Sequence, residues 1–134
     1  ALLRGRTGPN AADAWRDLRR KGIDGFTDSA IYDQFVCTAR KSVGNPVASL
    51  AAAHVYNVVS IANEWTARVN GTQVYTVATN TVGWHAAPVI GRSDPTVVLD
   101  GVIAEIIMYA GKLSVADRAI VNAYITSRYA ITIA

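Results

Sequence analysis

Few side chains in this sequence could do chemistry, and their spacing decides which kind. The glutamates are Glu64 and Glu105. A retaining glycosidase holds an acid and a nucleophile about 5 Å apart. On a strand, that requires carboxylates two or four positions apart on one face. Positions 103 and 107 are isoleucine and position 109 is tyrosine, so the pair is missing. Glu105 is expected to be a structural hydrogen-bond acceptor. Cys37, the single cysteine, sits in the apolar run YDQFVCTAR. A nucleophilic thiol wants a histidine partner and a polar setting, and nothing in the spacing ties His54 or His85 to it. A buried, inert thiol is expected, and an intrachain disulfide framework is excluded. Zinc needs three or four ligands, and these two histidines and one cysteine lie far apart. Asp94 and Asp100 fall in loop-like stretches without the further carboxylates that calcium takes. There is no nucleophile elbow and no glycine-rich phosphate loop. The expectation is a chain that is no enzyme, with no catalytic residue, metal or cofactor.

One stretch has the residue types for binding: GWHAAPVIGRSD, residues 83 to 94. Sugar sites set an aromatic face against C–H groups and add a few polar groups. Trp84, His85, Arg92 and Asp94 supply both and form the candidate glycan site. The other reading has Trp84 capping the edge of the core and the rest solvated. Asn70-Gly71-Thr72 is a glycosylation sequon, but a turn accounts for the same residues without sugar.

Charge is unevenly spread over the 134 residues. Residues 1 to 21 hold six basic residues (Arg4, Arg6, Arg16, Arg19, Arg20 and Lys21) against Asp13 and Asp17; the remainder holds seven basic against eight acidic. The high isoelectric point therefore belongs to an N-terminal segment. A nucleic-acid site would rest on that segment alone, with Trp15 as its one aromatic, which is too little for such a partner. Apolar residues make up 51% and charged residues 17%, enough for one domain with a core. The most apolar window, VASLAAAHVYNVVSIA, is shorter than the roughly 20 residues of a membrane span and contains His54 and Asn57, so a soluble chain is expected. Because the chain opens on Ala1, a start residue or a longer N-terminal part is expected to precede it.

The elements that would carry these residues follow from pattern. ALLRGRTGP reads as an irregular basic arm. Asn10 can cap a short helix, with Trp15 and Leu18 on one face and Gly22 as its stop. That helix is either a surface helix with a solvated basic side or an arm that docks elsewhere. Residues 31 to 38 and 54 to 62 read as strands, broken between them by Gly44-Asn45-Pro46. Trp65, Ala67 and Val69 alternate with Glu64, Thr66 and Arg68. Asn70-Gly71 suits a two-residue type I′ turn, which pairs Val69 with Thr72, Ala67 with Val74 and Trp65 with Thr76. TNTVGWHAAP reads as a loop, VIG as a short strand and RSDP as a turn. VVLDGVIAEIIMY reads as a long strand, kinked at Asp100-Gly101 and buried on two faces. LSVADRAIVNAYITSRY reads as an amphipathic helix with Ser114 as N-cap and Asp117 completing a capping-box variant. Its inward stripe is Ala116, Ile120, Ala123, Tyr124 and Ser127.

Taken in order, W-T-A-R-V-N-G, I-G-R, D-G-V-I-A-E-I-I-M-Y and L-S-x-x-D-R-x-x-V-x-x-Y-I-x-x-R-Y resemble the C-terminal part of concanavalin A-like lectin/glucanase domains. These are the laminin-G-like jelly-roll group found in bacteriophage and bacterial surface proteins. The resemblance covers about residues 54 to 131. It implies a mostly β fold, an antiparallel β-sandwich with a C-terminal α-helix over residues 31 to 134, behind a basic arm and short helix at 1 to 30. Such sandwiches need more strands before the hairpin than residues 1 to 53 supply. Either the chain is a trimmed member, or part is absent, or a neighbour completes the sheet. The resemblance also implies a virion or cell-surface setting. Two functions follow. One is a structural or assembly module, such as a capsid decoration or tail-fibre component, contacting neighbouring subunits through Arg4, Arg6, Trp15, Arg16, Arg19, Arg20 and Lys21. The other is a carbohydrate-binding module.

Overall fold

The computed structural model describes residues 31–33, 35–39, 41–44, 46–48, 52–83, 92–94, 97–98 and 102–134, with backbone alone at 31–33, 92–94 and 97–98. These residues are strand-rich and end in one helix. In chain order the elements are β1 (Ile31–Asp33), β2 (Lys41–Gly44), β3 (Tyr56–Ile61), β4 (Glu64–Val69), β5 (Thr72–Val77), β6 (Arg92–Asp94), β7 (Val97–Val98) and α1 (Val115–Tyr129). The strands β3, β4 and β5 form an antiparallel three-stranded sheet in that order; β1 pairs with β2 and β6 with β7. The arm, the first helix, the VIG strand and the Asp100-Gly101 kink lie outside the described residues.

The Asn70-Gly71 turn forms as its chemistry requires. Asn70 has φ 48° and Gly71 φ 82°, both positive, as a type I′ turn demands. Asn70 also ties this turn to the start of β3: its side-chain oxygen accepts from Val55 N–H at 2.8 Å, and its own N–H donates to Val55 O at 2.9 Å. A second two-residue turn, Ala62-Asn63, joins β3 to β4, with Asn63 at φ 61°.

The pairing of β4 with β5 departs from simple alternation. Val69 faces Thr72 as expected, but Ala67 faces Tyr75 and Trp65 faces Val77, with the register shifting between Ala67 and Arg68. Val74 is the extra residue of a bulge. A bulge lets consecutive side chains lean to one side, and both Val74 and Tyr75 pack on the core. The buried centre is Cys37, Val43, Tyr56, Trp65, Ala67 and Val69. Trp65 is fully enclosed and meets the Tyr75 ring edge-on at 5.8 Å, the arrangement that aromatic quadrupoles favour.

Four other expectations are corrected. The run 31 to 38 is not one strand: it breaks after Asp33, Val36 takes φ 49°, and Cys37 makes an isolated bridge to Val82. Arg92–Asp94 is a strand rather than a turn, paired with β7. Among the described residues of the stretch 97 to 109, Val97–Val98 is strand and 102 to 109 has no regular structure. It finds no partner ladder among the described residues, and Val102, Met108 and Tyr109 are exposed. Finally, α1 buries a different face. Ile125 is its buried residue, with Arg118, Val121, Asn122 and Tyr129 half-buried. The expected stripe points outward: Ile120 is 69% exposed, and Ala116, Ala123, Tyr124 and Ser127 are exposed too.

Both ends of α1 are closed by local chemistry. Ser114 accepts from Asp117 N–H at 3.1 Å and donates its hydroxyl to the Asp117 carboxylate at 2.7 Å. At the other end Ala130 turns into the left-handed region (φ 54°) and its N–H reaches Thr126 O at 2.9 Å. The tail then runs to the tip of the β4–β5 hairpin, where Ala134 N–H donates to Asn70 O at 2.9 Å.

Candidate functional site

Of the candidate glycan residues, Trp84 and His85 lie outside the described residues. Arg92 and Asp94 sit two residues apart on β6, opposite Val98 and Val97. The assembly residues of the N-terminal arm lie outside as well. Cys37 is buried, and its Sγ–H donates to Ala39 O at 3.0 Å.

Behind Cys37, the segment 35–38 is fastened to the sheet by polar groups. Trp65 Nε1–H donates to Phe35 O at 3.2 Å and Ser60 Oγ–H to Val36 O at 2.8 Å. Gly83 N–H also reaches Val36 O, at 3.3 Å, and Thr38 N–H reaches Thr81 O at 3.1 Å. The Thr38 and Thr81 hydroxyls are hydrogen-bonded to each other. A β-branched residue with positive φ is strained, and these bonds hold the Val36 carbonyl in place. Asn80, buried beside them, donates to Ser60 Oγ at 3.2 Å and Ile61 O at 3.1 Å, bracing the Ala62-Asn63 turn. This corner is structural.

The two glutamates have separate partners. Glu105 accepts from Tyr124 O–H at 3.0 and 3.1 Å and from Tyr129 O–H at 2.8 Å. Arg128 stands 3.8 Å away and donates to Tyr129 Oη at 3.0 Å. The expected acceptor role of Glu105 holds, and the carboxylate clasps α1 to the 102–109 segment. The bond to Glu105 is the main reason that the Tyr124 phenol is pushed above its ordinary value. Glu64 takes two bonds from Lys112 Nζ, at 2.6 and 2.9 Å. These hold its carboxyl below the usual range, while burial pulls the other way.

Glu64, Thr66 and Arg68 share the face of β4 opposite Trp65, Ala67 and Val69. That face is not solvent-washed. Thr66 is 2% exposed and shares a hydrogen bond of 2.8 Å with Thr76. Asn57 lies across from Arg68 in the β3–β4 register. Arg68 Nη1 and Asn57 Oδ1 are both buried without a hydrogen-bond partner. Burial first, and then the positive charge of Arg118 on α1, lower the Arg68 guanidinium from its ordinary value; Glu64 opposes them. Even so lowered, a guanidinium keeps its proton near neutrality. Alternation placed Arg68 on the outer face of the hairpin. What it could not show is that other parts of the chain cover that face.

Among the described residues, no three of His, Cys, Asp and Glu come together as a metal site, and no helix is long and apolar enough to cross a membrane. No protein-family model, curated protein or solved structure matches the chain.

Proposed function

We propose that the chain is a non-catalytic structural or assembly module, a virion component such as a capsid decoration or tail-fibre protein, built on a lectin-like β-sandwich. The outward apolar stripe of α1 carries this reading. Val115 is 73% and Ile120 69% exposed, with Tyr124 and Ala116 beside them. An amphipathic helix pattern marks a surface to be covered, and here Val115, Ala116 and Ile120 of that stripe are exposed. Among the described residues β3 and β5 stand at the edges of the three-stranded sheet, and natural sheets cover or pair their edges. In this reading the basic arm, with Arg4, Arg6, Trp15, Arg16, Arg19, Arg20 and Lys21, anchors the module on an acidic neighbouring subunit. The test is mass in solution by light scattering. A defined oligomer is expected, reduced to monomer by Ile120→Asp with the fold retained. A monomer at all concentrations that binds a glycan on a screen would replace this reading with the carbohydrate-binding one.

A further inference from the structure

Asn70 is the one asparagine of the chain that is followed by glycine, and that pair carries a chemistry of its own. The Gly71 nitrogen can attack Cγ of the Asn70 side-chain amide, because glycine has no Cβ to obstruct the approach. The nitrogen gives up its proton, Nδ2 leaves as ammonia, and a five-membered succinimide closes. Water then opens the ring. Cleavage of the bond from nitrogen to Cγ leaves aspartate. Cleavage of the bond from nitrogen to the main-chain carbonyl carbon leaves an isoaspartyl link, with the chain routed through Cβ and Cγ. Amide and water are consumed, carboxylate and ammonia are produced, and nothing is oxidised or reduced.

The fold grips the groups that this step must move. Asn70 Oδ1 accepts from Val55 N–H at 2.8 Å, and Asn70 N–H donates to Val55 O at 2.9 Å. The third bond comes from far along the chain: Ala134 N–H donates to Asn70 O at 2.9 Å. That carbonyl and the Gly71 nitrogen belong to one planar peptide, so holding the oxygen also holds the nucleophile. The tail lies against Gly71 itself, so close that a Cβ there would stand 2.8 Å from Ala134 N and from Ile133 Cγ2. Asn70 and Gly71 are half-buried rather than buried, so water reaches the turn. We propose that Asn70 is a self-deamidation site and that the docked tail, residues 130 to 134, guards it. The ring closes only in molecules whose tail has lifted and whose turn has opened, and the rate follows that fraction. The product acts back on the guard. The isoaspartyl link turns the carbonyl that Ala134 holds into a free carboxylate and adds a methylene to a turn built for two residues, so the tail no longer docks. The site goes beyond the assembly reading and does not depend on it.

Peptide mapping by mass spectrometry of the full chain, incubated at mildly alkaline pH, tests it, with a synthetic peptide of residues 66 to 76 as the unguarded reference. The peptide should deamidate at Asn70 at least roughly tenfold faster than the chain. Ala134→Pro removes the tail's donor and leaves the sequence of the turn intact. It should raise the chain's rate about threefold or more, the worth of one hydrogen bond, and so should a chain ending at Ile131; thermal melts serve as the fold control. In the isoaspartyl fraction of the unmutated chain, separated by ion exchange, the Ala134 amide should lose its hydrogen-exchange protection. Equal rates in chain and peptide, or an unchanged rate in both tail variants, would overturn the proposal. So would an Asn70 that stays intact in the chain and in its tail variants while the peptide is consumed, since the turn would then be closed whatever the tail does. Should both tail variants fail to fold, the exchange measurement on the unmutated chain decides, and an Ala134 amide still protected after conversion sinks the idea.

Discussion

Lys112 and Glu64 make an ion pair whose pH dependence can be read from one residue. The folded-state carboxyl is more acidic than its ordinary value of 4.5. Stability from the pair is therefore complete above that value and is lost as pH falls through the lower folded value. Lys112 is half open to water, so the contribution is small, about 0.5 kcal/mol. Urea midpoints at pH 7 and pH 3 should differ less in Glu64→Gln than in the parent; an unchanged difference would show that the pair adds nothing. Tyr124 gives the opposite sign. Its phenol is pushed above 10.0, chiefly by the bond to Glu105. Absorbance titration should find one late-ionising tyrosine, which returns toward the ordinary range in Glu105→Gln.

At the scale of elements, α1 ends on Ala130 in a left-handed conformation that glycine adopts without its Cβ penalty. Ala130→Gly is expected to stabilise the fold by about 0.5–1 kcal/mol, read as a rise in melting temperature. Both caps of the β4–β5 hairpin and the start of α1 were legible in the sequence. Asn70-Gly71 acts through the positive φ of its own two residues, and Ser114…Asp117 through bonds three positions apart, so in each case the local stretch contains the cause. The Val74 bulge was not legible, because Val-Tyr-Thr-Val can alternate or bulge and the core beneath decides. Neither was the helix face. The sequence offers Ala116, Ile120, Ala123 and Tyr124 as one apolar stripe and Val121 and Ile125 as another, and tertiary packing, which buries Ile125, decides between them. The 102–109 segment failed for a related reason. Its apolar run is compatible with a strand, but a strand exists only where another backbone pairs with it. The cover over the outer face of β4 was the least legible: alternation sends Thr66 outward, yet it is 2% exposed, because tertiary packing and not the local stretch decides what lies over that face.

For the molecule as a whole, the arm and the body make separable predictions. Deleting residues 1 to 21 should release the protein from its assembly while residues 54 to 131 stay folded, checked by light scattering and circular dichroism together. Normal assembly of the deleted form would remove the arm from the interface. Trp84→Ala should abolish any glycan binding with little change in melting temperature; a large fall would place the ring in the core instead. The docking of the tail on the hairpin also bears on the order of folding. A Cβ on Gly71 would run into the backbone of Ala134 and stand 2.8 Å from Ile133 Cγ2, besides being strained at its positive φ. The hairpin closes a short loop and can form early, whereas the tail must close a long one. Gly71→Ala thus carries two penalties that fall on opposite sides of the folding barrier. The φ strain should slow refolding. The collision with the tail should chiefly speed unfolding, and in a chain cut after Ile131 that second effect alone should vanish from the chevron.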